Sequence, residues 1–78
     1  MRNLYKNSMV DFIKQNDNKA TCAQLFEIYK NIAISNNPNY NTNFIWLNIH
    51  TFAKRHGKYN GKILTKNHRI SHQYIFNF

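Results

Sequence analysis

The stretch Ser35-Asn36-Asn37-Pro38-Asn39 is a point that no helix can cross unbroken. Pro38 biases Asn37 away from the helical region by steric clash, and its own nitrogen has no hydrogen to donate. Whatever lies on either side must fold as separate elements. The break is informative because apolar residues recur at helical spacing both before and after it.

Upstream, Tyr5, Met9, Phe12 and Ile13 stand at i, i+4, i+7 and i+8, which predicts a helix from about Leu4 to Gln15. Asn3 is a suitable N-cap, and Ser8 with Asp11 three residues on offers a later start. The turn formers Asn16-Asp17-Asn18 close that segment. A second helix is expected from Thr21, which forms a capping box with Gln24. Cys22, Leu25, Ile28, Tyr29 and Ile32 continue it at near-helical spacing to about Ile34. Past the break, a third helix should begin near Asn41 or Thr42 and run to His56, with Gly57 at its C′ position. Lys54, Arg55 and His56 suit the negative end of its dipole. On a wheel of about 100° per residue, Ile45, Ile49, Phe52, Ala53 and His56 share one stripe, with Trp46 at its edge. Opposite stand Asn43, Leu47, His50, Thr51 and Lys54, flanked by Asn48 and Arg55. The first face reads as core, the second as polar and cationic apart from Leu47.

After Gly57 the period changes from helical to alternating. Asn60-Gly61 is a strong turn signal. Lys62-Ile63-Leu64-Thr65 reads as a short strand and Ile70 to Phe78 as a second, joined by the basic tip Lys66-Asn67-His68-Arg69. A hairpin centred on Asn60-Gly61 would have only Lys58 and Tyr59 for its first arm. The expected class is α+β, mainly α: three helices followed by a C-terminal β-hairpin, in a single domain spanning residues 1–78. With 78 residues the chain buries only about 60% of its unfolded surface, so stability should be marginal without a partner or a staple. The single Cys22 can form no internal disulfide, is too few for a structural zinc site, and reads as a small buried apolar residue.

Charge is distributed unevenly. The net charge is +8, yet Asp11, Asp17 and Glu27 all fall in the first 27 residues, beside Arg2, Lys6, Lys14 and Lys19. From Ile28 to Phe78 there is no carboxylate, only Lys30, Lys54, Arg55, Lys58, Lys62, Lys66 and Arg69. All four histidines, His50, His56, His68 and His72, lie in the same part. A solvated surface ordinarily mixes both signs, so this region lacks internal compensation and attracts a polyanion. Interleaved aromatics and asparagines favour nucleic acid over an anionic membrane, for which no amphipathic lysine-flanked segment is present. Hydrophobic residues make up 42% of the chain, more than a disordered basic tail carries. The 14 asparagines, with many lysines and isoleucines, fit an AT-rich genome such as that of a phage, a eukaryotic virus or a parasite.

The order of helix, helix, helix and hairpin with a basic tip resembles the winged helix-turn-helix superfamily. The resemblance rests on the Thr21-to-Ile34 helix, the loop through Pro38, the Asn43-to-His56 helix and the Lys62-to-Phe78 hairpin. The short strand that the superfamily places between its first two helices would have to come from Lys19-Ala20. The connection before the third helix is longer than the tight turn of simple helix-turn-helix proteins. The resemblance implies that the third helix enters the major groove, with Asn43, His50, Thr51 and Lys54 at base edges. Arg55, Lys58, Lys62 and Lys66 would hold phosphates, and His68 and Arg69 would serve the wing, Arg69 reaching a narrow minor groove.

The implied partner is double-stranded DNA, and the implied role a small transcription regulator or genome-associated factor of a phage, virus or mobile element. Trp46, Tyr40, Tyr59 and Tyr74 keep open RNA or single-strand binding by stacking. The same basic surface could dock on an acidic protein. Exposed Leu47 and Phe44 allow a homodimer. No enzyme activity, cofactor or metal is expected: the three acids have ordinary surface contexts, Ser35 and Ser71 lack a base, and His68 and His72 sit too far apart on a strand to chelate. The polar-interrupted start and the lack of a long apolar run lead to the expectation of a soluble intracellular protein.

Overall fold

The computed structural model describes residues 3–65 and 68–78. The chain is mixed α+β and mainly helical, with three helices and a three-stranded antiparallel sheet. Helix α1 (Asn3–Gln15) starts at Asn3 rather than at Ser8 and buries Tyr5, Met9 and Ile13, with Phe12 half-buried. It ends because Asp17 and Asn18 both take φ near +58°, a left-handed pair that asparagine and aspartate tolerate better than other residues. Asn16 fixes this turn by donating from Nδ2 to the Lys19 carbonyl at 2.8 Å.

The turn delivers strand β1 (Lys19–Thr21), so the expected order of three helices and then strands needs correction. Three residues suffice because β1 only has to complete the edge of a sheet already built elsewhere. It pairs antiparallel with β3 (Ile70–Phe76), Lys19 opposite Ile75 and Thr21 opposite Gln73. Helix α2 (Cys22–Asn36) follows without a loop. Its capping box is complete: the Gln24 amide donates to Thr21 Oγ1 at 3.1 Å and the Thr21 amide to Gln24 Oε1 at 2.9 Å. The next free N–H of the first turn, that of Ala23, donates to Ser71 Oγ on β3 at 3.1 Å, which ties the helix start to the sheet.

Helix α2 runs two residues past Ile34 and stops at Asn37, which is extended as the residue before proline must be. Helix α3 (Asn43–His56) begins without a side-chain cap from Thr42; Asn41 Oδ1 accepts the Asn43 amide at 3.0 Å instead. Ile45, Ile49, Phe52 and Ala53 are buried and form the core with Leu25, Tyr29, Met9, Ile13, Tyr74 and Phe76.

Gly57 departs from the expected role. Its φ of −124° is extended, so it is no left-handed C′ residue; it ends α3 and opens strand β2 (Gly57–Leu64) in one step. Its need for glycine is steric: a Cβ there would stand 2.8 Å from Phe76 Cε2 and 3.1 Å from the Ala53 carbonyl oxygen.

Asn60-Gly61 is not a turn. β2 pairs with β3 along both halves, Tyr59 with Tyr74 and Lys62 with His72, so β2 carries one residue more than its partner across this interval. The result is a β-bulge, in which Gly61 takes φ +93°. The left-handed preference of the dipeptide is met inside a strand. Lys58 and Tyr59 form a full first arm because β3 continues to Phe76 and offers them partners. The sheet order is β1-β3-β2.

Candidate nucleic-acid interface

The outward face of α3 and the hairpin β2–β3 carry most of the predicted contacts. On α3, Asn43, Thr51, Lys54 and Arg55 are exposed. Thr51 donates its hydroxyl proton to the Leu47 carbonyl at 2.9 Å, which leaves its oxygen lone pairs to accept from a ligand. His50 is only half-buried, and its ring lies against Trp46 with centroids 6.0 Å apart. Trp46 in turn stacks on Phe26 of α2 at 4.2 Å, so indole and imidazole continue an aromatic column that begins on the neighbouring helix. Asn48 turns inward and donates from Nδ2 to the Tyr29 hydroxyl at 2.8 Å.

The face is not uniformly polar. Phe44 and Leu47 expose 57% and 64% of their surface at the amino-terminal end of α3, while Lys54 and Arg55 occupy its last turn. It therefore has an apolar half and a cationic half. His56 closes the helix against Phe52 and Phe78, with centroids 5.0 and 6.0 Å away. Burial, and then the positive charges of Lys6 and Arg55, hold its imidazole below the usual histidine range.

On the hairpin, side chains alternate between faces, and cross-strand partners share one. Lys62 pairs with His72 and Lys58 with Ile75, so these two predicted phosphate contacts project to opposite sides of the sheet. Lys58 instead joins Lys19 in a row across the sheet with exposed Ile75 between them. On the other side the Tyr59 hydroxyl meets His72 Nδ1 at 2.9 Å, beside Lys62. At the tip, the Thr65 amide donates to the Arg69 carbonyl at 2.7 Å and the Arg69 amide to Thr65 Oγ1 at 3.3 Å. His68 takes φ +58°, and both it and Arg69 are exposed. Lys66 lies outside the described residues.

The three acids are exposed on α1, on the turn after it and on α2. Among the described residues no group of three His, Cys, Asp or Glu side chains could hold a metal ion. None of the described helices is long and apolar enough to cross a membrane.

Two features escaped the sequence reading. The first is the aromatic column Phe26–Trp46–His50, which connects positions on different helices and has no signature within either. The second is a cleft between α1, α2, α3 and the connection before α3, lined mostly by tyrosines and asparagines. The excess of asparagine is the one sequence signal that points toward it. No family model, no curated protein and no solved structure matches the chain.

Proposed function

We propose that the chain is a double-stranded-DNA-binding domain of winged helix-turn-helix type, a small transcription regulator or genome-associated factor of a phage, virus or mobile element. The observation that carries this reading is the exposure of cations in the part of the chain that has no acid. Lys54, Arg55, Lys62 and Arg69 are exposed on a helix and a hairpin joined without a loop, inside 51 residues that contain no carboxylate. The element order and the β1-β3-β2 sheet support the winged-helix assignment, with β1 as its short first strand.

On this reading α3 lies in the major groove, which admits one helix. Asn43, Thr51 and Lys54 read base edges, and His50 contributes the ring edge that Trp46 leaves open. Arg55 and Lys62 hold phosphates. His68 and Arg69, with Lys66, form the wing contact. Lys58 faces away from Lys62 and contributes only if the duplex bends around the sheet.

The test is a titration of random duplex DNA against salt. Neutralising about six phosphates lowers affinity on the order of a thousandfold between about 50 and about 200 mM salt. Changing Lys54 and Arg69 together to alanine abolishes duplex binding with little loss of folding. Duplex affinity that survives this double change at moderate salt overturns the groove model, and tighter binding to a single strand of equal length replaces it with stacking.

A second reading, docking on an acidic protein, draws its support from Phe44 and Leu47, since large exposed apolar side chains suit a protein interface better than a groove. A pull-down that recovers one acidic protein after nuclease treatment, and loses it with Leu47→Ala, would decide for it.

A further inference from the structure

The cleft lined by α1, α2, α3 and the connection before α3 has a volume of about 600 Å³, within the range of small-molecule sites. Tyr5 of α1 and Tyr29 of α2 form its floor, stacked with centroids 4.2 Å apart and planes 10° from parallel. Tyr40, from the connection before α3, stands half-buried as one wall, 6.4 Å from Tyr29 and tilted by 51°. Asn36, Asn37 and Asn48 supply the polar lining. No lining residue carries a charge, although the whole chain carries +8. Burial raises the Tyr29 phenol well above its ordinary range, with the neighbouring Tyr40 hydroxyl adding to the shift, so it stays neutral too. An anion finds no counter-charge in this cleft.

The three amides present complementary groups. Asn48 spends Nδ2 on the Tyr29 hydroxyl at 2.8 Å, which leaves Oδ1 to accept. Asn37 spends Oδ1 on the Asn39 amide at 3.2 Å, which leaves Nδ2 to donate. Among the described residues nothing engages the Asn36 amide, so it offers a donor and an acceptor side by side. Flat aromatic walls and paired amide groups are the two features that recognise a base: stacking on the ring face, and an asparagine amide against the donor–acceptor edge of adenine.

We propose that this cleft binds an uncharged nucleobase, stacked on Tyr40 and hydrogen-bonded by Asn36 and its neighbouring asparagines. The base comes either from a free nucleoside or from an unpaired position in a strand. The cleft contains none of the basic residues of the duplex-binding reading and does not depend on that reading.

Adenosine titrated into the isotope-labelled full chain, followed by amide resonances, tests this. Saturable shifts are expected at Asn36, Asn37 and Tyr40 and at the Asn48 side chain. Tyr40→Ala should weaken binding at least about tenfold, and Tyr40→Phe should keep the stacking surface and stay within about twofold. Asn36→Ala, a change at an exposed position, should weaken it about fivefold and serves if the tyrosine variant folds poorly. Adenosine binding should also hold steady between about 50 and about 200 mM salt, where duplex binding falls, so the two readings fail separately. A short single strand of deoxyadenosines that shifts the same residues when adenosine does not assigns the base to a strand. Absence of saturable shifts with both ligands, shifts confined to the exposed side of α3 and the hairpin and missing from Asn36, Asn37, Tyr40 and Asn48, indifference to both alanine variants, or equal shifts from maltose would each overturn the proposal.

Discussion

Replacing Gly57 by alanine sets two effects of opposite sign against each other. The backbone there, φ −124° and ψ 169°, is one that alanine adopts freely. On that ground alone alanine would stabilise by about 0.4–1 kcal/mol, because it restricts the unfolded chain. Packing opposes this. The new methyl would lie 2.8 and 3.0 Å from Phe76 Cε2 and Cδ2, and 3.1 Å from the Ala53 oxygen. Carbon atoms rest at about 3.5–4.0 Å, so the ring must retreat by roughly 0.7 Å or more. Phe76 has little room: it is 3% exposed and boxed by Phe52, Tyr74 and Phe78, with centroids 5.7, 6.3 and 5.6 Å away. Ala53 is helical backbone whose oxygen already accepts the Gly57 amide. Overpacking of this kind costs about 1–3 kcal/mol. The net expectation is a loss of about 1–2 kcal/mol, or a melting temperature lower by roughly 5–15 °C for a domain of this size. Thermal unfolding followed by circular dichroism measures it. In a Phe76→Leu background the smaller side chain should shrink the alanine penalty. An alanine protein that melts at or above the wild-type temperature refutes the steric account, because backbone entropy would then have prevailed.

Two further changes probe other joints of the fold. Thr21→Ala removes one half of the α2 capping box and should cost about 1 kcal/mol, read as a lower urea midpoint at unchanged slope, with Thr21→Ser recovering most of it. His56 sets a pH dependence. Its folded proton affinity is depressed, chiefly by burial, so the unfolded chain takes up the proton first as pH falls. The stability from its neutral ring is fully present above about pH 6.5 and is lost as pH drops from there through the depressed folded value. The urea midpoint of the wild type should therefore fall on acidification from about pH 7.5 to about pH 5, and that of His56→Gln should fall less. An equal fall in both proteins would remove His56 as the cause.

The helices were legible because each announces itself within its own residues. Thr21 and Gln24 mark the α2 start, Asn37-Pro38 the stop, and the spacing of Ile45, Ile49 and Phe52 the buried side of α3. Apart from element ends shifted by a residue or two, the departures fall where a distant partner decides. Lys19-Ala20-Thr21 is too short to read as a strand alone, and becomes one because Gln73 to Ile75 offer it an edge. Asn60-Gly61 carries a turn preference that a long partner strand absorbs as a bulge. Gly57 looks like a helix terminator in sequence, and only the position of Phe76 shows why it has no side chain. The same holds for the candidate interface. The wheel places Asn43, Thr51 and Lys54 correctly on the open face, while the separation of Lys58 from Lys62 follows from the extra residue in β2 and from pairing with β3. Periodicity cannot show that Asn48 turns inward, since its reason is the Tyr29 hydroxyl on another helix.

The junction at Gly57 also bears on how fast a partner can be engaged and released. A helix that passes into a strand with no intervening loop leaves no hinge between the α3 face and the first residues of β2, so their spacing is set before any encounter. No loop there must be ordered on contact, and that entropic charge on association is absent. Association should then be limited by diffusion and steering, and differences among partners should appear in how long they stay bound. A partner whose own spacing does not match must bend to fit, so the strain of a mismatched complex is borne by the partner.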